Sequence, residues 1–218
     1  MRTFLILGAL GATVTSLGGM PLAKASAQPA QSWEIGPIIR GRNYSVNMPL
    51  NPTPAGRGWS FDFPYPHAGV GHVHYVTTRT GPLLHKSRII VRYRIDAAPG
   101  VRFVPKDRPK AVAQLSLYIQ RRGDNWSARR QFEHYRWYAT PANRVPLAPG
   151  EHEIALELDP ANWKSLKMAT GDEVPEQFHS TLADADRVGL LFGYNGGPGH
   201  GVFATGPARF RLLSFRIV

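Results

Sequence analysis

The stretch from Arg88 to Asp96 reads Arg-Ile-Ile-Val-Arg-Tyr-Arg-Ile-Asp, and Ile89, Val91, Tyr93 and Ile95 recur at every second position. A period of two is the spacing of one face of a β-strand, and it leaves no continuous apolar stripe on a helix of 3.6 residues per turn. The same alternation sets Leu115, Leu117 and Ile119 against Ser116, Tyr118 and Gln120, and Ile154, Leu156 and Leu158 against Glu153, Ala155 and Glu157. Val73, Tyr75 and Thr77 alternate with His72, His74 and Val76, and Val188 to Tyr194 is an almost wholly apolar run. Near the end the phase slips: Phe210 and Leu212 carry the apolar face, then Leu213, Phe215 and Ile217 do, which predicts a bulge.

Glycine, proline and polar turns bound these runs, with 22 glycines and 19 prolines in 218 residues. Two short helices are expected, one opening at Asp159-Pro160 with an N-cap and a proline in the first turn, the other around Pro175 to Leu182. The expected fold is therefore all-β: an antiparallel two-sheet jelly-roll sandwich with one or two short helices. Its predicted interior is Ile89, Val91, Tyr93, Leu115, Leu117, Ile119, Leu156, Leu158, Leu190, Phe192, Phe210, Phe215 and Ile217. The sandwich is expected over 59–218. The Pro- and Asn-rich stretch 28–58 reads as a partly ordered N-terminal arm with one strand around Trp33 to Ile39.

Residues 1–27 have the pattern of a secretory signal peptide: Arg2, an apolar run from Phe4 to Val14, and the small residues Ala25-Ser26-Ala27 before Gln28. Cleavage near Ala27 would place the protein in a periplasm or outside the cell, with no stable membrane insertion. It would remove Arg2 and Lys24 and no acid, leaving 24 basic against 15 acidic side chains, a net charge of +9. The absence of cysteine excludes disulfide scaffolds and cysteine-ligated metal centres, and the low charge content excludes a coiled coil. The arginines are spread along strands rather than clustered on one helix or tail, which argues against nucleic acid and for an anionic glycan or envelope surface.

The segments Arg187-Val-Gly-Leu-Leu-Phe-Gly193, Gly199-His-Gly-Val202, Ala204-Thr-Gly-Pro-Ala-Arg-Phe210 and Leu213-Ser-Phe-Arg-Ile217 resemble the closing strands of galactose-binding-like jelly rolls. Bacterial carbohydrate-binding modules have that fold. The turn Leu147-Ala-Pro-Gly-Glu-His152 and the corner Leu158-Asp-Pro-Ala-Asn-Trp163 sit where such domains leave a strand. The resemblance covers roughly Trp59 to Val218 in pattern and order. It implies an architecture and a habit of binding sugars; it supplies no site residue.

Candidate site residues come from the chain itself. His72-Val73-His74 puts two imidazoles on one strand face, a metal-ligand spacing with His67 as a possible third donor, but no acid follows from Tyr75 to Gly81. The bland reading is a pair of hydrogen-bonded strand histidines. Arg122-Gly-Asp-Asn-Trp126 reads as a hairpin loop whose tryptophan packs on the body or on a ligand. If Tyr135 and Trp137 face the core, His134, Arg136 and Tyr138 lie on the outer face beside Tyr118 and Gln120. If Arg92 and Arg94 share that sheet, the face is arginine-rich and suited to carboxylate, sulfate or phosphate. The expected ligand set is Arg92, Arg94, Tyr118, Gln120, Arg122, Trp126, His134 and Arg136. A solvated charged face and a catalytic face are the alternatives. For catalysis, a polysaccharide lyase would use His134, Tyr138 and Arg136, whereas the acids open to a glycoside hydrolase (Glu133, Glu151, Glu153, Glu157) show no convergent pair. No Gly-x-Ser-x-Gly elbow, P-loop or dinucleotide fingerprint is present, so no cofactor is expected.

Overall fold

A computed structural model describes residues 28–218; the predicted signal peptide lies outside the described residues. The chain forms an all-β sandwich of two antiparallel sheets. The first has seven strands. Six run in the order Trp33–Gly36, Tyr75–Arg79, Ala185–Gly193, Gln114–Arg121, Arg136–Ala139 and Trp163–Ser165, and the short Val145–Pro146 also pairs with Gln114–Arg121. The second runs Gly150–Glu157, Arg88–Ala97, Ala208–Ile217, Gly58–Asp62 and Thr53–Ala55. Two small two-stranded pairs, the hairpin of Ile38–Ile39 with Arg42–Asn43 and the long-range pair of Phe103–Pro105 with Val202–Ala204, lie outside these sheets.

The core is the space between the inner faces. All the residues expected inside are buried except Ile217, which is partly buried against the core. Phe61 and Phe210 stack at 5.3 Å, Tyr93 stacks on Phe210 at 5.1 Å, and Phe192 meets Phe210 edge-on at 5.6 Å. Fully burying a phenylalanine of this kind contributes roughly 1.5–3 kcal/mol before the entropy of ordering is counted. The phase slip near the C-terminus is a bulge: the register shifts between Leu212 and Ser214, leaving Leu213 as the extra residue and returning Phe215 to the core.

Three local expectations need correction. The segment 28–58 holds the expected strand near Trp33, but that strand is part of the sandwich rather than of an arm before it. Trp33–Gly36 is the edge strand of the seven-stranded sheet, and Trp33 is fully buried against Trp59 and Phe215, with ring centroids at 5.0 and 5.1 Å. At Asp159 the carboxylate does accept from the Ala161 amide at 2.9 Å, but the turn stops after Pro160–Asn162, because Trp163 leaves it at once to join a strand. The only α-helix among the described residues is Pro175–Ala183, which buries Phe178, Thr181 and Leu182 and packs Phe178 on Trp137 at 4.8 Å. The third concerns the alternation at Tyr75. Val73 and Val76 both enter the core, so the phase slips between them and Tyr75 and Thr77 face outward.

Candidate functional site

The outer face of the seven-stranded sheet carries a second, smaller cluster. In register, Tyr138 stands opposite Tyr118 and Arg136 opposite Gln120, and Gly189 stands opposite Tyr118 on its other side. A glycine there lets the neighbouring strand approach: a Cβ at Gly189 would come within 2.3 Å of the Val76 carbonyl oxygen and 2.7 Å of the Thr77 Cα. Tyr75 stacks on Tyr118 at 5.2 Å, and Tyr118 on Tyr138 at 5.8 Å. Leu191 completes this floor, and Trp126 packs onto it.

The loop after Gln114–Arg121 folds back over the floor. Asp124, whose side chain is wholly buried, makes a 2.9 Å ion pair with Arg136 Nε, and this contact is not an aligned hydrogen bond. It also accepts from Gln120 at 3.0 Å and from the Trp126 amide at 3.0 Å. The Arg136 guanidinium lies 4.8 Å from the Trp126 ring centroid, and its Nη2 donates to the Trp126 carbonyl at 3.1 Å. Trp126 itself has a left-handed backbone, φ 65°, and is half-buried beside Tyr75 at 5.8 Å.

Two cavities open above this floor and share Pro37, Tyr75 and Trp126 as their common wall. The first, of about 170 Å³, is polar, with Glu34, Thr77, Gln120, Asp124, Asp186 and Arg187 in its lining. Arg187 pairs with Glu34 at 3.1 Å and donates to Thr77 at 3.2 Å, and Asp186 pairs with Arg79 at 2.5 Å. The second, of about 300 Å³, is bounded by Tyr44, His74, Lys106, Asp107, Arg136 and His200.

Burial pushes Tyr75 up to about 12, an effect that Arg136 partly offsets, and burial holds Tyr118 and Tyr138 well above the ordinary phenol range. His74 is brought down to about 4 by burial and by the neighbouring His72. Burial and the nearby Lys106 lower His72 as well. Asp107 ends below the ordinary carboxylate value: burial opposes its ionisation, and contacts with His200 and Lys106 outweigh that.

The structure brings together Tyr118, Gln120, Trp126 and Arg136, with Tyr138 beneath them, and separates the other expected residues. Arg92 and Arg94 belong to the five-stranded sheet, on the opposite side of the sandwich. There Arg92 pairs with Glu151 at 2.6 Å, Arg94 and Arg211 with Asp96 at 2.7 and 2.6 Å, and Arg209 with Asp62 at 2.6 Å. That face is a self-neutralised charge ladder. Arg122 points to Asp184 at 3.0 Å and lines neither cavity. His134 is absent from both linings too. The strand begins only at Arg136, preceded by a turn of Arg130–Phe132, so the alternation that would have set His134 beside Arg136 never starts. For the same reason Tyr135 is only partly buried, against Phe132 and Arg121.

His72 and His74 are spent on each other. His72 Nδ1 donates to His74 Nε2 at 2.8 Å, and His74 Nδ1 donates to the Gly199 carbonyl at 2.8 Å. His67 is exposed, and among the described residues no group of three metal-ligating side chains assembles. The glycine-rich loop serves this packing: at Gly201, φ 97°, a Cβ would lie 2.5 Å from His74 Nε2. Sequence reasoning missed Asp124, Tyr75, Glu34 and Arg187. Asp124 sits after a glycine in a hairpin loop, where a carboxylate looks like an ordinary turn residue, and the others reach the site through long-range pairing that no local spacing encodes. Compared with protein-family models, curated proteins and solved structures, the chain shows no match.

Proposed function

We propose that the chain is an exported, non-catalytic carbohydrate-binding protein, with an anionic polysaccharide or envelope glycan as its ligand, held along the groove above the tyrosine floor. The observation that carries this reading is Trp126, a half-buried indole forming the shared wall of two cavities, the first lined largely by polar and charged groups and the second by apolar and charged groups together. Sugar rings present apolar faces to aromatic side chains and hydroxyls to amides, carboxylates and guanidinium groups, and this groove offers both within one ring's reach. The anionic preference is supported by cations that make no ion pair among the described residues. Arg40 and Arg42 flank the hairpin beside Tyr44, Arg108 and Lys110 follow Asp107, and Arg129 and Arg130 follow Trp126. Such charges raise the local concentration of an anionic ligand through their summed field.

Catalysis fits the same groove poorly. A lyase needs a base that accepts a proton near neutral pH, but the tyrosines are held above their ordinary range and His74 is held between two partners, which leaves His200, 3.1 Å from Asp107, as the one imidazole of the lining not so held. A hydrolase needs two carboxyls free to flank the scissile bond, but in the first cavity Glu34, Asp124 and Asp186 are each spent on an arginine.

Calorimetric titration with oligouronates and with neutral oligosaccharides tests the proposal. The expected result is binding that prefers the acidic series, weakens with salt for that series alone, and loses about 1 kcal/mol or more for both series in Trp126→Ala. Unsaturated sugar ends appearing on incubation would overturn the non-catalytic part. A Trp126→Ala variant that binds like the parent would overturn the site.

A further inference from the structure

We propose that the loop from Gly123 to Arg130 is a lid, and that the Asp124 carboxylate occupies, on Arg136, the place taken by the carboxylate of an acidic sugar when the lid opens. This rests on the glycan-binding reading and names the ligand group for which the groove is built.

Arg136 rises from the sheet floor, whereas its carboxylate partner comes from the loop above. In the closed arrangement the chain supplies to its own arginine the group that a uronate would bring. The pairing is imperfect, since the Arg136 Nε–H is not aligned on Asp124. Beneath the loop the floor is unsatisfied: Tyr118 lines the first cavity, is fully buried, and its hydroxyl has no hydrogen-bond partner. A buried hydroxyl ordinarily finds a partner, and a sugar hydroxyl entering from the cavity would be one.

The loop is also held in a way that permits movement. Trp126, Ala128 and Arg130 all have positive φ, at 65°, 51° and 55°, a conformation that costs energy for residues with a Cβ. Its ties to the floor are few: Asp124 to Arg136 and Gln120, and Trp126 to Arg136 and Tyr75. The bonds Ser127 to Asn125 and Arg129 to Ser127 stay within the loop. Arg122, tied to Asp184 through its amide and its guanidinium, fixes one end. Because Trp126 is part of the wall common to both cavities, an outward shift of the loop opens the spaces of about 170 and 300 Å³ to each other, and the indole stays at the edge of the joined cleft to stack on the bound ring. That brings the site into the range of small-molecule pockets, roughly 300–1,000 Å³.

The test is Asp124→Asn, which keeps an oxygen for the Trp126 amide and removes the competing charge. If the lid is closed nine-tenths of the time, it weakens apparent affinity about tenfold. The variant should therefore bind glucuronate, mannuronate or guluronate tetramers up to about tenfold more tightly, with neutral tetramers much less affected. Acrylamide quenching reads the lid without any ligand, because the four other tryptophans, Trp33, Trp59, Trp137 and Trp163, are fully buried. Quenching should rise in the variant. The parent protein carries a second test that does not depend on the variant's folding: oligouronate should speed hydrogen exchange at the Trp126 amide, which Asp124 holds when closed, and neutral sugar should not. Oligouronate binding that is unchanged or weaker in a folded Asp124→Asn, or an exchange rate indifferent to oligouronate, overturns the carboxylate exchange while leaving glycan binding intact. Absence of binding to every acidic and neutral oligosaccharide overturns both.

Discussion

The Nε2 atom of His74 accepts a 2.8 Å hydrogen bond from Nδ1 of His72. The Gly199 carbonyl, an acceptor only, fixes a proton on the other nitrogen of His74, so the ring is neutral when all these bonds are made. Its pKa of about 4 lies below the unfolded value of 6.5, and the sign follows. The unfolded chain takes up a proton near 6.5 and the folded one only near 4, so this stability is fully present above 6.5 and fades as the pH falls toward 4. Urea unfolding should show a loss of about 2–3 kcal/mol between pH 7 and pH 4.5. The loss should be smaller in His74→Asn, whose amide can still donate to Gly199. A stability that is flat over this window contradicts the arrangement. The lowered carboxylates Asp62, Asp96 and Asp107 contribute mainly below their unfolded value of 3.8, whereas His72 and His134, both lowered by burial, add losses of the same sign within the window.

Trp33→Ala should destabilise the fold by about 3–5 kcal/mol, because it empties a site bounded by Trp59 and Phe215 and detaches an edge strand. The midpoint of urea denaturation measures this. A change under about 1 kcal/mol would mean that the segment before Trp59 is an accessory after all.

Arg92→Ala and Arg94→Ala should each change stability by no more than about 1 kcal/mol, since both side chains are more than half exposed and pair in water. Neither should alter oligouronate affinity beyond the small loss of long-range charge, and this is read by titration at two salt concentrations. A loss comparable to that of Trp126→Ala would move the site to the other sheet.

Gly201→Ala should displace His74, because a left-handed backbone disfavours the side chain and the added Cβ would overlap the imidazole. The expected outcome is lower stability together with a weaker dependence of stability on pH between 6.5 and 4. Lower stability with an unchanged pH profile would show that the histidine pair survives the substitution.

The strands were legible wherever one face is buried and the other wet, as in Arg88–Ala97, because burial writes itself into the sequence every second residue. Even the bulge at Leu213 could be read, since it inverts that pattern. Sheet membership was not legible. Arg92 and Arg136 occupy equivalent outward positions on similar strands, and only the long-range pairing order puts them on opposite sides of the molecule. Asp124 was hidden for a different reason. A carboxylate after a glycine in a polar loop looks like a turn former, and that it is also the wholly buried partner of Arg136 depends on the loop folding back. The strand at Trp33 was legible but its place in the core was not, because that depends on long-range pairing with Tyr75–Arg79 and packing on Trp59 and Phe215.

Amide chemical-shift mapping during titration with an oligouronate tests the account most directly. The predicted result is that perturbations gather on Thr77, Gln120, Asp124, Trp126 and Arg136 around the tyrosine floor, with the Arg92, Arg94 and Arg209 ladder unmoved. Perturbations centred on that ladder, or none at any residue at saturating oligouronate, would contradict it.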